Sequence, residues 1–263
     1  MEVDRYEHGV PSWVDLGTPD IPKAIEFYSS LFGWQIEQGP PEAGGYSLAM
    51  LRGKPVAGIG PQMSPGRPYW TTYVTVDSVD KATALAKENG ANVIVEPMDV
   101  MDVGRMSIFA DPIGAVISTW EPNAHIGAQI VNEPNSYSWS ELVTTDTERS
   151  KEFYAAVFGW GSQTHGEGTP MPYTEWKIGD RSVGGMMPKP PMMPAEVPPH
   201  WGVYFAVDGT ETAMGKVKEL GGQVIMGPMD VEPGTIAVVA DPQGAVFNII
   251  TLTEARAKQS SAG

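Results

Sequence analysis

Two carboxylates in this 263-residue chain stand where they can do chemistry. Asp15 and Glu141 each follow a tryptophan by two positions, in Ser12-Trp13-Val14-Asp15-Leu16 and Ser138-Trp139-Ser140-Glu141-Leu142. Both segments read as β-strands, where alternate side chains point to one face, so Trp13 sides with Asp15 and Trp139 with Glu141. A buried carboxylate among aromatic rings can have its pKa raised toward neutrality and act as a general base. It can equally fix the polarity of a flat ligand stacked on the indole, where an aromatic pair adds about 0.5–1.5 kcal/mol beyond burial. Two quieter readings stand beside these: the aromatics fill an ordinary core, and the carboxylates accept bonds from backbone or from Arg105. With no cysteine, disulfides, thiolate nucleophiles, cysteine zinc sites and iron–sulfur clusters are excluded. No segment has the spacing of a phosphate-binding loop.

The elements that position these residues occur twice. The two Trp-x-Asp/Glu segments are offset by 126 residues, as are Glu26-Phe27-Tyr28 with Glu152-Phe153-Tyr154 and Phe32-Gly33-Trp34 with Phe158-Gly159-Trp160. Later the offset is 131, linking Trp70 with Trp201 and Tyr73 with Tyr204; the copies close on Ala110-Asp111-Pro112 and Ala240-Asp241-Pro242. Order kept over this length is a tandem duplication. The expected boundaries are a first domain over 8–121, a linker over 122–135, a second domain over 136–252 and a disordered tail over 253–263. In the first copy a strand over Val10–Gly17 leads to Asp20 as N-cap, with Pro22 in the first turn, and a helix to Phe32 closed by Gly33. Ala24, Phe27, Tyr28 and Leu31 share one face of that helix. Short strands follow, then a second unit with a strand over Thr71–Val76 and a helix over Val79–Asn89. Each copy therefore reads as two βαβββ halves.

This ordered set of strand, capping Asp, Phe-Tyr helix ending in Phe-Gly, and late Asp-Pro-x-Gly resembles the vicinal oxygen chelate (glyoxalase/bleomycin-resistance/dihydroxybiphenyl dioxygenase) superfamily. The Ser-Trp-x-Asp/Glu-Leu opening and the Trp-x-x-Tyr middle strand resemble its tandem actinobacterial subfamily, which includes the mycobacterial 27 kDa antigen and anthracycline-cluster proteins. The resemblance implies an α+β fold: two tandem domains, each of paired βαβββ units whose mixed sheet curls into a cup with helices outside. It also implies one divalent metal held by His and Glu on the cup face. Counting from the motifs, the metal-ligand places hold Trp13, Thr71 and Ser118 in the first copy and Trp139, Gly202 and Asn248 in the second. None is an ordinary metal ligand; the fourth place, at the end of each first half, does not align. The four histidines, His8, His125, His165 and His200, fall in a terminus, a linker and loops. The expectation is that both copies have no metal and no cofactor.

By strand phase Thr71, Tyr73, Gly202 and Tyr204 point into the cups, and Trp70 and Trp201, which open the middle strands, are counted with them as candidate ligand-binding residues. The leading expectation is metal-independent binding of a small planar aromatic or polyketide-like ligand. A cofactor-independent enzyme using Asp15 or Glu141 is the second, and a regulatory partner of a protein kinase, resting on labels in the resembling subfamily, the third; a metal-dependent glyoxalase or dioxygenase comes last. The net charge of −15 argues against nucleic acid and anionic membranes. No window is apolar for the length of a membrane span and the N-terminus has no signal-like apolar run, so a cytoplasmic protein is expected. The duplication allows a monomeric pseudo-dimer as well as a homodimer.

Overall fold

Each copy builds one eight-stranded sheet from its own residues. The computed structural model describes residues 1–63 and 66–253; most of the tail expected over 253–263 lies outside the described residues. The first copy runs β1 (Pro11–Thr18), α1 (Ile21–Phe32), β2 (Gln35–Gln38), β3 (Ser47–Leu51), β4 (Lys54–Pro61), β5 (Tyr69–Thr75), α2 (Val79–Glu88), β6 (Asn92–Val100), β7 (Gly104–Ala110) and β8 (Val116–Pro122). The second runs β9 (Tyr137–Thr144), α3 (Thr147–Phe158), β10 (Gly161–His165), β11 (Tyr173–Ile178), β12 (Arg181–Pro188), β13 (His200–Ala206), α4 (Thr210–Glu219), β14 (Gln223–Val231), β15 (Gly234–Ala240) and β16 (Val246–Leu252). Among the described residues no helix is long and apolar enough to cross a membrane.

The strand orders are β2-β3-β4-β1-β5-β8-β7-β6 and β10-β11-β12-β9-β13-β16-β15-β14. Two βαβββ halves meet at the antiparallel pairs β1–β5 and β9–β13, while β1–β4, β5–β8, β9–β12 and β13–β16 are parallel. The α+β architecture of paired βαβββ units is the one expected, and each open sheet is built within its own copy. Local signals act as read: the Asp20 side chain accepts the Lys23 amide at the start of α1, and Gly33 ends it at φ 72°. That left-handed conformation is one that glycine adopts without a Cβ penalty.

The helices are where the copies join. The apolar face of α1 (Phe27, Tyr28, Phe32) packs in one cluster with Phe205 and Phe247 of the second copy; that of α3 (Phe153, Tyr154, Phe158) packs with Phe109 and Ile117 of the first. Two hydrogen-bond chains cross this core. Trp70 Nε1 donates to Tyr28 Oη (3.1 Å), which donates to Asp241 Oδ2 (3.1 Å); Trp201 Nε1 donates to Tyr154 Oη (2.9 Å), which donates to Asp111 Oδ2 (2.8 Å). The Phe-Tyr motif of one copy thus bonds the Asp-Pro-x-Gly motif of the other. Buried polar groups are tolerable only when partnered, and these chains supply the partners.

Trp70 and Trp201 are therefore placed differently from the expectation. They lie on the helix side of β5 and β13, each 5% exposed, as part of the join between copies. The physical reason is the strand period: each is one residue out of phase with Tyr73 or Tyr204.

Candidate functional site

Alternation along β1 puts Val14 and Leu16 on the helix side and Trp13 and Asp15 on the opposite, cup face, where Trp13 and Tyr73 are themselves buried in the same core cluster. Asp15 stands across from Thr71 on β5, and Trp13 across from Tyr73, which in turn neighbours Ser118 on β8. The structure therefore brings Trp13, Asp15, Thr71, Tyr73 and Ser118 together. It does the same for Trp139, Glu141, Gly202, Tyr204 and Asn248.

Hydrogen bonds tie these residues into one cluster per copy. Tyr73 Oη donates to Asp15 Oδ2 at 2.9 Å, and Tyr46 Oη donates to the same oxygen at 3.3 Å while accepting from Trp13 Nε1 at 2.9 Å. In the second copy Tyr204 Oη donates to Glu141 Oε1 at 2.9 Å, and Tyr173 accepts from Trp139 Nε1 at 3.0 Å and interacts with Glu141. Each carboxylate is thus held by two phenols, one of them braced by an indole. Burial pushes the Asp15 carboxyl up to about 6 against the lowering effect of its two tyrosine bonds, and pushes Glu141 up for the same reason. It also raises Tyr46, Tyr73, Tyr173 and Tyr204, each further raised by its neighbouring carboxylate. Ser118 Oγ is buried without a partner in good geometry, although the Tyr73 hydroxyl lies near enough to feel it.

Tyr46 and Tyr173 are members that the phase of the central strands does not reveal, because Tyr46 lies in the turn before β3 and Tyr173 opens the outer strand β11. Their places depend on glycine. Gly58 stands across from Asp15, and Gly185 across from Glu141. A Cβ at either would lie 1.9 Å from the tyrosine hydroxyl. A readable signal existed: Tyr46 with Tyr173 and Gly58 with Gly185 share an offset of 127 residues. Gly58→Ala is expected to evict Tyr46 from Asp15 at a cost of about 1–3 kcal/mol, the usual range for overpacking, read as a lowered urea midpoint. An unchanged midpoint would count against this packing.

The alternative in which Arg105 satisfies Asp15 does not hold. Arg105 instead binds Asp80, Asp99 at 2.9 Å and Glu121 at 3.7 Å. Among the histidines, His8 accepts the Asp77 amide, His165 faces Glu175 and His200 meets the Pro198 carbonyl. His125 alone departs from its expected linker surroundings: its ring packs on Trp13.

The sequence profile of the Glyoxalase/Bleomycin resistance protein/Dioxygenase superfamily matches residues 11–119 and again 127–249. The chain belongs to this superfamily. It is 43% identical over 254 residues to a Mycobacterium tuberculosis protein named as a candidate glyoxylase, CFP32, covering 94% of this chain and 96% of that one. It is 36% identical to the anthracycline biosynthesis protein DnrV of Streptomyces peucetius, covering 95% and 96%. Among solved structures, a Mn(II)-bound glyoxalase from Novosphingobium aromaticivorans matches with TM-score 0.66 at 18% identity, over 93% of this chain and 83% of that one. The 2,2',3-trihydroxybiphenyl 1,2-dioxygenase of Sphingomonas wittichii matches with TM-score 0.63 at 14% identity, over 93% and 91%. At such identities the likeness is one of fold.

The superfamily's divalent metal does not fit the donors present. Trp13, Thr71 and Ser118, like Trp139, Gly202 and Asn248, offer no imidazole or carboxylate. The unaligned fourth place is resolved by the fold, since no residue of β4 (Lys54–Pro61) or β12 (Arg181–Pro188) is His, Asp or Glu. Among the described residues no three His, Cys, Asp or Glu side chains converge. Asp15 and Glu141 are single carboxylates already engaged by phenols, whereas a metal site needs several converging ligands.

Proposed function

We propose that this chain binds a small, planar, hydroxylated aromatic molecule of polyketide-like character on a cup face, without a metal. The observation that carries this reading is the cluster of one carboxylate, two phenols and one indole, repeated in both sheets where the superfamily's metal ligands would stand. The indole and phenol faces suit a flat apolar body, and a carboxylate can accept a ligand hydroxyl. In the first cluster both phenols donate to Asp15 Oδ2, which leaves Oδ1 without a phenol partner. The DnrV relative, named for anthracycline biosynthesis, supports the ligand class. The join between copies within one chain supports a monomeric pseudo-dimer as the working form.

The test is a calorimetric and tryptophan-fluorescence titration of chelator-treated protein with 1,2-dihydroxyanthraquinone. Binding is expected to survive metal removal and to weaken about tenfold in Glu141→Gln, the equivalent of one charge-assisted hydrogen bond. Binding that appears only after zinc, nickel or iron is added would sink the proposal. One observation favours a second reading, cofactor-independent proton transfer: the raised carboxyl of Asp15, with one oxygen that no phenol holds. Turnover of an enolisable aromatic ketone that disappears in Asp15→Asn or Glu141→Gln while binding remains would favour it.

A further inference from the structure

The two cups are not furnished alike. The linker that leaves β8 is pinned to the first copy on both sides of His125. The His125 amide donates to the Val103 carbonyl (3.0 Å), Ala128 to Ser12 (2.7 Å) and Gln129 to Pro55 (2.8 Å). Gly127, at φ 113°, permits the approach, since a Cβ there would lie 2.4 Å from the Ser12 carbonyl oxygen. The His125 ring is thereby set against the indole of Trp13, centroids 4.5 Å apart at 85°, and against Trp120 at 5.7 Å and 72°. The Trp120 indole also donates to the His125 carbonyl (2.7 Å). These are edge-to-face contacts of the favourable kind. His125 Nε2 is buried without a hydrogen-bond partner, and burial lowers the imidazole to about 4, so the ring is neutral. A flat, uncharged heteroaromatic ring thus rests on the tryptophan of the first cup, and Trp13 is only 4% exposed.

In the second copy Trp139 stands for Trp13 and Ile250 for Trp120, by the alignment of Asp111-Pro112-x-Gly-Ala with Asp241-Pro242-x-Gly-Ala. Trp139 is partly exposed, and among the described residues no aromatic ring stacks on it. It packs with Tyr204, Ala206, Ile250, Ile236 and Leu252, and its Nε1 is held by Tyr173. Gly202 replaces Thr71 opposite the carboxylate, and the Asn248 amide lies 3.0 Å from where a Cβ would stand. On the sheet edge Met229 pairs with Ile236 and is 40% exposed, as Met98, paired with Met106, is 45% exposed in the first copy, so an adaptable apolar side chain borders both faces.

We infer that His125 occupies in the first cup the seat that a ligand ring takes in the second, so that the chain binds one ligand, on Trp139. This rests on the binding reading above and adds to it the site and the stoichiometry. The experiment has two arms. Titration with 1,2-dihydroxyanthraquinone should give one site per wild-type chain and two per His125→Ala chain, and the wild-type fluorescence change should be lost in Trp139→Phe. Two sites on wild type, or a fluorescence change that persists in Trp139→Phe, would overturn the inference. The second arm needs no ligand. His125→Ala should lower the melting temperature by about 4 °C; added imidazole should restore it, His125→Phe should largely preserve it, and wild type should not respond to imidazole. A His125→Ala protein that melts like wild type and ignores imidazole would also overturn it. Imidazole rescue without any binding of the probe would refute the ligand reading and still establish the ring seat in the first cup.

Discussion

Asp111→Ala is expected to cost the fold about 4 kcal/mol. Asp111 is 3% exposed and fully used. Its Oδ1 accepts the amides of Ile113, Gly114 and Ala115 at 2.8–2.9 Å, and its Oδ2 accepts Tyr154 Oη from the other copy at 2.8 Å. Alanine would strand the Ile113 and Ala115 amides and the Tyr154 hydroxyl, while the Gly114 amide keeps the Asp111 backbone carbonyl. Each buried unsatisfied group costs about 1–3 kcal/mol, and the sum is reduced because the exposed part of the turn can relax toward water. Asp241→Ala should behave alike, since Asp241 accepts Gln243, Ala245 and Tyr28 in the same way. Tyr154→Phe, which keeps the ring and removes only the hydroxyl, should cost about half as much, because Trp201 Nε1 and one carboxylate oxygen lose their partner. Urea denaturation followed by far-ultraviolet dichroism and tryptophan fluorescence checks this. A loss below about 1 kcal/mol for Asp111→Ala would mean that the crossing chains do not hold the copies together.

The roles of these motifs show where sequence reading stops. The Phe-Tyr and Asp-Pro-x-Gly segments are recognisable in each copy, yet their partnership joins Tyr28 to Asp241 and Tyr154 to Asp111, residues in different copies. No period within a copy carries that information. What periodicity does carry was legible: the alternation of β1 puts Trp13 and Asp15 on one face, and Asp20 and Gly33 bound α1. The same alternation, applied strictly, sends Trp70 and Trp201 away from the cups, although both open the middle strands. Tyr46 reaches its cup face from a turn, His125 from the linker and Tyr173 from the start of the outer strand β11, none of which the alternation of the central strands registers. Only the offset shared by Tyr46 and Tyr173 marked two of them in advance.

Asp15→Asn is expected to change how stability depends on pH, and the sign is the reverse of that for a salt-bridged carboxylate. Burial raises the folded-state value to about 6, above the ordinary carboxylate value that the unfolded chain retains. Between about pH 4 and pH 6 the folded protein therefore binds a proton that the unfolded chain has released. The contribution of Asp15 to stability is fully present below the unfolded value and is lost as pH rises through the folded one, after which the penalty is constant. A displacement of about two pH units corresponds to at most about 3 kcal/mol. Asparagine has no such titration and can still accept from Tyr46 and Tyr73. The difference in unfolding free energy, Asp15→Asn minus wild type, should thus rise by up to about 3 kcal/mol from pH 4 to pH 7 and then level off, whatever constant offset asparagine itself introduces. The comparison is needed because Asp20, Asp80, Glu133 and Glu175 are shifted downward by cationic partners and lose their own contributions as pH falls, masking the trend in wild type alone. A flat difference, or one that falls with pH, would show that the Asp15 carboxylate is comfortable ionised and that the phenols outweigh burial. Glu141 is shifted in the same direction in the second cup. A ligand hydroxyl donating to its ionised form would favour deprotonation, so binding there should weaken on acidification and lose that dependence in Glu141→Gln.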